Sequence, residues 1–341
     1  MISVLIDNLK KMLTIPNYQI LNKIYESANS LIYSGFIKRD HKPLILKILK
    51  QDYPTPEELT HCRQEYDIIR SLANLDGVIN AYGLEKHQNR LVMCLEDFGG
   101  ESLDILTQKR EFRVEELLTL AISITDKLGQ IHQNNIIHKD INPTNILFNP
   151  TTGVLKIIDF GIATRLSRQN PTPKNPNVLE GTLPYLSPEQ TGRMNRVLDY
   201  RTDFYSLGIT FYELFTHRLP FESPYAMELI HCHLAKQPVP PSQLQASSKN
   251  SAIPQAISDI IIKLLSKTAE ERYQSAYGLK ADLQECKARL ARSQLEPFTL
   301  AQQDISDRFQ IPQKLYGRKR DIETLLVAFE RVANPPPSPL Y

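Results

Sequence analysis

The spacing of apolar positions divides the chain into a strand-rich first third and a helix-rich remainder. Ile2, Leu5, Ile6, Leu9 and Leu13 fall at helical intervals over residues 1–13. Asp7 interrupts this stretch and no small-residue cleavage site follows, so it reads as a short amphipathic helix docked on the body and not as a secretory signal. A helix for a partner or for self-association is the alternative. Ile20, Leu21 and Ile24, then Leu31 to Ile37, then Leu44 to Leu49 read as successive strands. From Pro56 to Leu72 the period turns helical, with Tyr66, Ile69 and Leu72 on one face. Val78–Leu84 and Leu91–Leu95 read as two further strands. Beyond them come a long helix over 114–133, a hairpin pairing 145–148 with 154–158, and helices over 202–217, 224–235, 254–266 and 275–292. A β-rich start joined to an α-rich remainder predicts an α+β fold of two lobes with a cleft between them.

Composition narrows the function classes. Apolar residues make up 41% and charged residues 23% of the 341, a globular mix. The 40 basic and 38 acidic residues nearly cancel, which argues against a dedicated nucleic-acid binder. No apolar run reaches the ~18 residues that would span a bilayer. Cys62, Cys94, Cys232 and Cys286 lie far apart with no CxxC spacing, so they suit reduced, buried thiols of a cytoplasmic protein better than a disulfide framework or a zinc site.

Chemistry concentrates in three motifs that occur in a fixed order. His138-Lys139-Asp140-Ile141-Asn142-Pro143-Thr144-Asn145 is followed by Asp159-Phe160-Gly161, and then by Gly181-Thr182-Leu183-Pro184-Tyr185-Leu186-Ser187-Pro188-Glu189. Upstream, Leu44-Ile45-Leu46-Lys47 ends an apolar strand run in a single lysine. In this order the motifs resemble the protein kinase superfamily, specifically its serine/threonine branch, over about residues 18–290. The resemblance implies a bilobal protein-kinase-like fold, a β-rich N-lobe over about 18–98 and a helical C-lobe over about 99–292. It implies ATP and Mg²⁺, with Mn²⁺ as a substitute, and a protein substrate.

Residue roles follow by the same resemblance. Lys47 fits the lysine that grips the α- and β-phosphates, and Glu65 the helix glutamate that pairs with it; Glu57 and Glu58 are weaker candidates for that partner. Asp140 fits the catalytic aspartate that orients the attacking hydroxyl and accepts its proton. Asn145 and Asp159 fit the metal ligands, and their oxygen donors suit Mg²⁺. Thr182 resembles the threonine beside the catalytic aspartate. His138 and Phe160 read as members of an aligning hydrophobic column, Glu189 and Arg272 as a buried ion pair, and Asp203 as the helix carboxylate that holds the catalytic loop. Ile24, Ile32, Ile45 and Leu147 fit the walls of the nucleotide slot, with backbone groups of Glu96 and Phe98 at the adenine edge.

The sequence also departs from that pattern. The valine of the glycine-rich loop, fifteen residues before Lys47, falls at Ile32, so the three glycine positions become Tyr25, Ser27 and Ser30. Glycine serves there because backbone amides must approach phosphate oxygens closely. Asn142 stands where the family has a lysine, which removes a positive charge, and Ile45 stands in place of alanine over the adenine. These losses support an alternative reading as a pseudokinase, a nucleotide-binding or scaffold module with little turnover. Lys139 replaces the arginine before the catalytic aspartate, and a phosphate on Ser167 or Thr172 is a candidate partner for it. Similar loops occur in the N-terminal kinase domains of large bacterial proteins that combine a kinase, an AAA-type ATPase and a sensor histidine kinase. Residues 293–341 read as a linker and the start of such an ATPase segment, with a helix over 315–333 but no GxxxxGK[ST] loop.

Overall fold

A computed structural model describes residues 15–166, 179–194, 196, 198–244, 253–293 and 296–306. The proposed N-terminal helix over 1–13, Ser167 and Thr172, and the 315–333 segment lie outside the described residues. The chain divides into two compact units, Met1–Ile305 and Ser306–Tyr341. Only the first is described below.

Five antiparallel strands open that unit: β1 (Tyr18–Glu26), β2 (Ser30–Ile37), β3 (Pro43–Leu49), β4 (Ala81–His87) and β5 (Arg90–Glu96), in the spatial order β1-β2-β3-β5-β4. On β3, Leu44, Leu46 and Ile48 are buried and alternate with Ile45 and Lys47, which face the other way. This alternation turns the Lys47 side chain out of the small core that Leu44, Leu46, Ile48, Val92 and Cys94 form. Helix α1 (Pro56–Ser71) crosses from β3 to β4. Its start is set by a capping box in which Thr55 takes the Glu58 amide and Glu58 takes the Thr55 amide, with Pro56 fixing the first turn. Glu58 is thereby spent on the cap and is removed as a partner for Lys47.

One strand boundary differs from the sequence expectation. Val78 and Ile79 precede β4 and join the second lobe, Val78 through a parallel bridge to Ile157. They are apolar because they are buried between elements, not because they belong to the sheet. The remaining elements are β6 (Glu101–Ser102), α2 (Leu103–Lys109), α3 (Val114–Gln133), β7 (Ile136–Ile137), β8 (Ile146–Asn149), β9 (Val154–Ile157), β10 (Thr164–Arg165), α4 (Arg201–Thr216), α5 (Ala226–Ala235), α6 (Gln255–Leu264) and α7 (Ala276–Ala291). Short α2 carries no distinct period in the sequence and is the helix that the spacing missed. Helix α3 buries Leu117, Leu118, Ala121, Ile124, Leu128 and Ile131. Helix α4 is buried nearly all round and carries the C-lobe core. All four cysteines are free and buried. No helix among the described residues is long and apolar enough to cross a membrane.

Past α7, residues 296–305 lie on the surface of the unit. Phe298, Leu300 and Ala301 pack against the core. Asp304 accepts the Gln274 and Ser275 amides at 2.7 and 2.8 Å, and the Ser275 hydroxyl at 2.8 Å, just before α7 begins. Gly278 makes room for it, since a Cβ there would lie 2.5 Å from Asp304.

Candidate active site

Lys47, carried by β3, donates to Glu65 Oε1 on α1 at 2.6 Å and to Asp159 Oδ1 at 3.0 Å. One cation thus joins the sheet, the helix and the Asp159 loop. Burial alone would lower the Lys47 ammonium, but the two carboxylates outweigh it and push its pKa up, so the cation stays charged. The same lysine holds the Asp159 carboxyl below the usual range against its own desolvation. The Asp159 side chain is 45% exposed and opens to the cleft, whereas the Glu65 side chain is 6% exposed.

The loop between β7 and β8 is held from beneath by Asp203 of α4. Its Oδ2 takes the His138 amide and its Oδ1 the Lys139 amide, at 2.8 and 2.7 Å, and His132 adds a contact at 2.8 Å. The Asp140 amide donates to His138 Nδ1, which places the ring proton on Nε2 for the Ile158 carbonyl at 3.0 Å. The imidazole meets Phe160 edge-on at 4.8 Å, and both side chains are buried. Lys139 and Asp159 adopt φ of 68° and 62°. Non-glycine residues in that region cost about 1–3 kcal/mol each, so these bonds and contacts hold the loop against its local preference.

Asp140 sits at the centre. Its Oδ2 accepts Asn145 Nδ2 at 2.9 Å and its Oδ1 accepts the Thr182 amide at 2.9 Å. Asn145 Nδ2 also donates to the Asp140 carbonyl, so both its bonds go to one residue. Asn142 is fully buried and turned inward. Its Oδ1 caps the following turn by accepting the Thr144 and Asn145 amides and the Thr144 hydroxyl. Its Nδ2 reaches the Asp140 carbonyl at 3.2 Å and Thr182 Oγ1 at 3.3 Å. It therefore braces Asp140 against Thr182 where the family pattern has a lysine.

The Thr182 segment is anchored deep in the C-lobe. Arg272 donates to both oxygens of Glu189 at 2.6 and 2.9 Å, and Thr202 adds a bond at 2.9 Å. Arg272 also satisfies the carbonyls of Arg201, Ser266 and Lys267. Arg272 keeps Glu189 ionised by drawing its pKa down against the burial that opposes it. Gly181, at φ 112°, occupies a backbone region closed to side chains, and a Cβ there would lie 3.3 Å from the Lys139 carbonyl. Lys139 itself, only 3% exposed, pairs with Glu180 at 3.6 Å. The sequence reading offered a phosphate on Ser167 or Thr172 as the partner of Lys139, and the Glu180 carboxylate is the partner among the described residues.

Ile32, the register partner of Lys47 on β2, is half-buried, as are Ile45 and Leu147, while Ile24 and Tyr25 on β1 are exposed. At the end of β5 the Glu96 amide donates to the Asn80 carbonyl, and just beyond it the Phe98 carbonyl accepts Asn149 Nδ2. The Glu96 side chain accepts from the buried Lys156 at 2.8 Å and from Asn80 Nδ2 at 2.9 Å. Lys156, Asn80 and Asn149, which sequence reasoning missed, thus fix the strand that ends β5. Strand alternation sets Lys156 on the face opposite buried Leu155 and Ile157 on β9, so the sequence pattern reads it as outward although it is buried.

Residues 18–283 match the protein kinase domain family. A probable serine/threonine-protein kinase of Clostridium perfringens is 31% identical over 272 residues, covering 79% of this chain and 38% of the relative. The serine/threonine-protein kinase PrkC of Bacillus subtilis is 32% identical over 270 residues, covering 78% and 40%. A hybrid signal transduction histidine kinase of Dictyostelium discoideum is 39% identical over 170 residues, covering 44% of this chain and 5% of its own length. The chain spans about two fifths of the length of the two bacterial relatives.

Proposed function

This chain belongs to the protein kinase family, and from that premise we propose that it transfers the ATP γ-phosphoryl group to serine or threonine hydroxyls of a protein substrate. The observation that carries this reading is the pair of bonded clusters, Lys47–Glu65–Asp159 and Asp140–Asn145–Thr182. Phosphoryl transfer needs positioning and charge neutralisation more than covalent help from the protein, and these groups supply both. Lys47, kept cationic by its two carboxylates, binds the α- and β-phosphates. The Glu96 carbonyl and the Phe98 amide take the adenine edge, since the Glu96 amide and the Phe98 carbonyl are already engaged. Asp140, oriented by Asn145 and the Thr182 amide, positions the attacking hydroxyl and accepts its proton.

Kinases use a divalent metal, and the donors here fit Mg²⁺. Asn145 Nδ2 is committed to Asp140, which turns its Oδ1 to a ligand, and Asp159 uses Oδ1 for Lys47 and the Gly161 amide, which leaves Oδ2. Asn145 and Asp159 would hold the metal, which when bound would neutralise phosphate charge.

The pseudokinase reading draws on the inward Asn142, which bonds to Asp140 and Thr182 and leaves a cation missing from the site. Incubation with Mg²⁺ and γ-labelled ATP, followed by phosphoamino-acid analysis, separates the readings. Label on serine or threonine supports the kinase. ATP binding without transfer to the chain or to generic serine/threonine substrates supports the scaffold.

A further inference from the structure

The turn joining β1 to β2 is closed by its own side chain. Ser27 Oγ accepts the Ser30 amide at 3.0 Å and the Asn29 amide at 3.3 Å, and it contacts the Ser30 carbonyl at 3.3 Å. Two backbone bonds shape the turn independently of that hydroxyl: the Ser27 amide to the Ser30 carbonyl, and the Lys50 amide to the Asn29 carbonyl, both at 2.9 Å. Glu26 next to it is tied to Lys23 and Lys50 at 2.8 and 2.6 Å. Ser27 and Ser30 occupy glycine positions of a phosphate loop, and a glycine has no side-chain oxygen. In such a loop the backbone N–H groups at the tip are what a phosphate oxygen would use.

Resting on the kinase reading above, we infer that Ser27 is a built-in competitor for nucleotide phosphate: its hydroxyl oxygen occupies the Asn29 and Ser30 amides, and a bound nucleotide must turn it away before the loop can grip the β-phosphate. The hydroxyl oxygen and a phosphate oxygen are both acceptors, so they exclude each other at the same two donors. Rotation about one side-chain bond releases both amides together, while the Ser27–Ser30 backbone pair keeps the hairpin in register. Ser27 is thus a positioning residue that weakens the binding of nucleotides that carry a β-phosphate.

Ser27→Ala removes the competitor and retains the Cβ, so loop flexibility stays close to that of the wild type. Calorimetric titration of the full chain with ATP, ADP, AMP and adenosine, with Mg²⁺ present for ATP and ADP, reads the effect. ATP and ADP should bind about 3- to 10-fold more tightly in Ser27→Ala, the range expected for releasing such weak hydrogen bonds. AMP and adenosine should be unchanged, and the KM for ATP should fall with kcat held. Weaker ATP binding in Ser27→Ala would show the hydroxyl donating to phosphate and overturn the inference. Equal shifts for all four ligands, or none, would overturn it as well. Failure of wild-type transfer alongside the predicted ATP and ADP shifts would count against the kinase reading alone.

Discussion

Two carboxylate–cation clusters hold this molecule, and they differ in what is left over. The Arg272–Glu189 pair is sealed: Thr202 and three backbone carbonyls take up the remaining valences, and the arginine side chain has no exposure. The Lys47–Glu65–Asp159 cluster is closed on one side only. Glu65 is buried, but Asp159 faces the cleft with nearly half its side chain open. The chemistry is the same, yet the sealed pair has no capacity left for a ligand and can only hold architecture. The open cluster keeps a cation and a carboxylate oxygen that the proposed function assigns to phosphate and metal.

The comparison breaks if the two clusters respond alike to loss of their cation. Lys47→Met should reduce phosphotransfer by about 10³-fold or more, roughly 4 kcal/mol of transition-state stabilisation, while denaturant melts shift less than in Arg272→Met, because Asp159 is open to water and burial already pushes Glu65 up toward its neutral form. Arg272→Met should instead destabilise the fold by about 3–5 kcal/mol, because Glu189 is left buried without a partner. Paired denaturation curves and initial rates on the two variants measure both effects.

Smaller effects sharpen the picture around the sealed cluster. Lys267 is pushed down to about 8 by burial first and by the Arg272 charge next. In the unfolded chain its ammonium titrates near 10.4. Between these values the unfolded state binds a proton that the folded state does not, so this group makes stability rise with pH across that window. The rise should amount to about 1–3 kcal/mol and be absent in Lys267→Met, as denaturation series from pH 7 to 10.5 would read.

Glu180 sharpens the link between the clusters, since its partner Lys139 precedes Asp140 while Glu180 precedes Gly181 and Thr182. A partly buried pair of this kind is worth about 1 kcal/mol. Glu180→Gln should therefore lower kcat about 3- to 10-fold with the KM for ATP unchanged, in steady-state assays of phosphatase-treated protein.

The main outline was legible in the sequence because it rests on patterns. An apolar strand run broken by a single charge singled out Lys47, and the order of three motifs singled out Asp140, Asn145, Asp159 and Thr182, which the fold brings into bonded clusters. The inward turn of Asn142 was not legible, since a short amide can cap a turn or face a ligand with the same neighbours in sequence. The Ser27 cap was hidden for the same reason. The bonds from Lys156 to Glu96 and from Asp304 to Gln274 link residues 60 and 30 positions apart, and no local period records them. Val78 reads as a strand residue because burial between elements leaves the same apolar signature as burial in a sheet.

The most direct test of the account is a single-turnover assay of purified chain with Mg²⁺ and γ-labelled ATP, run beside Asp140→Asn. Wild type should transfer label to serine or threonine, and Asp140→Asn should bind ATP with similar affinity yet transfer none. Wild-type protein that binds ATP but transfers no more label than Asp140→Asn would contradict the assignment of this cleft to phosphoryl transfer.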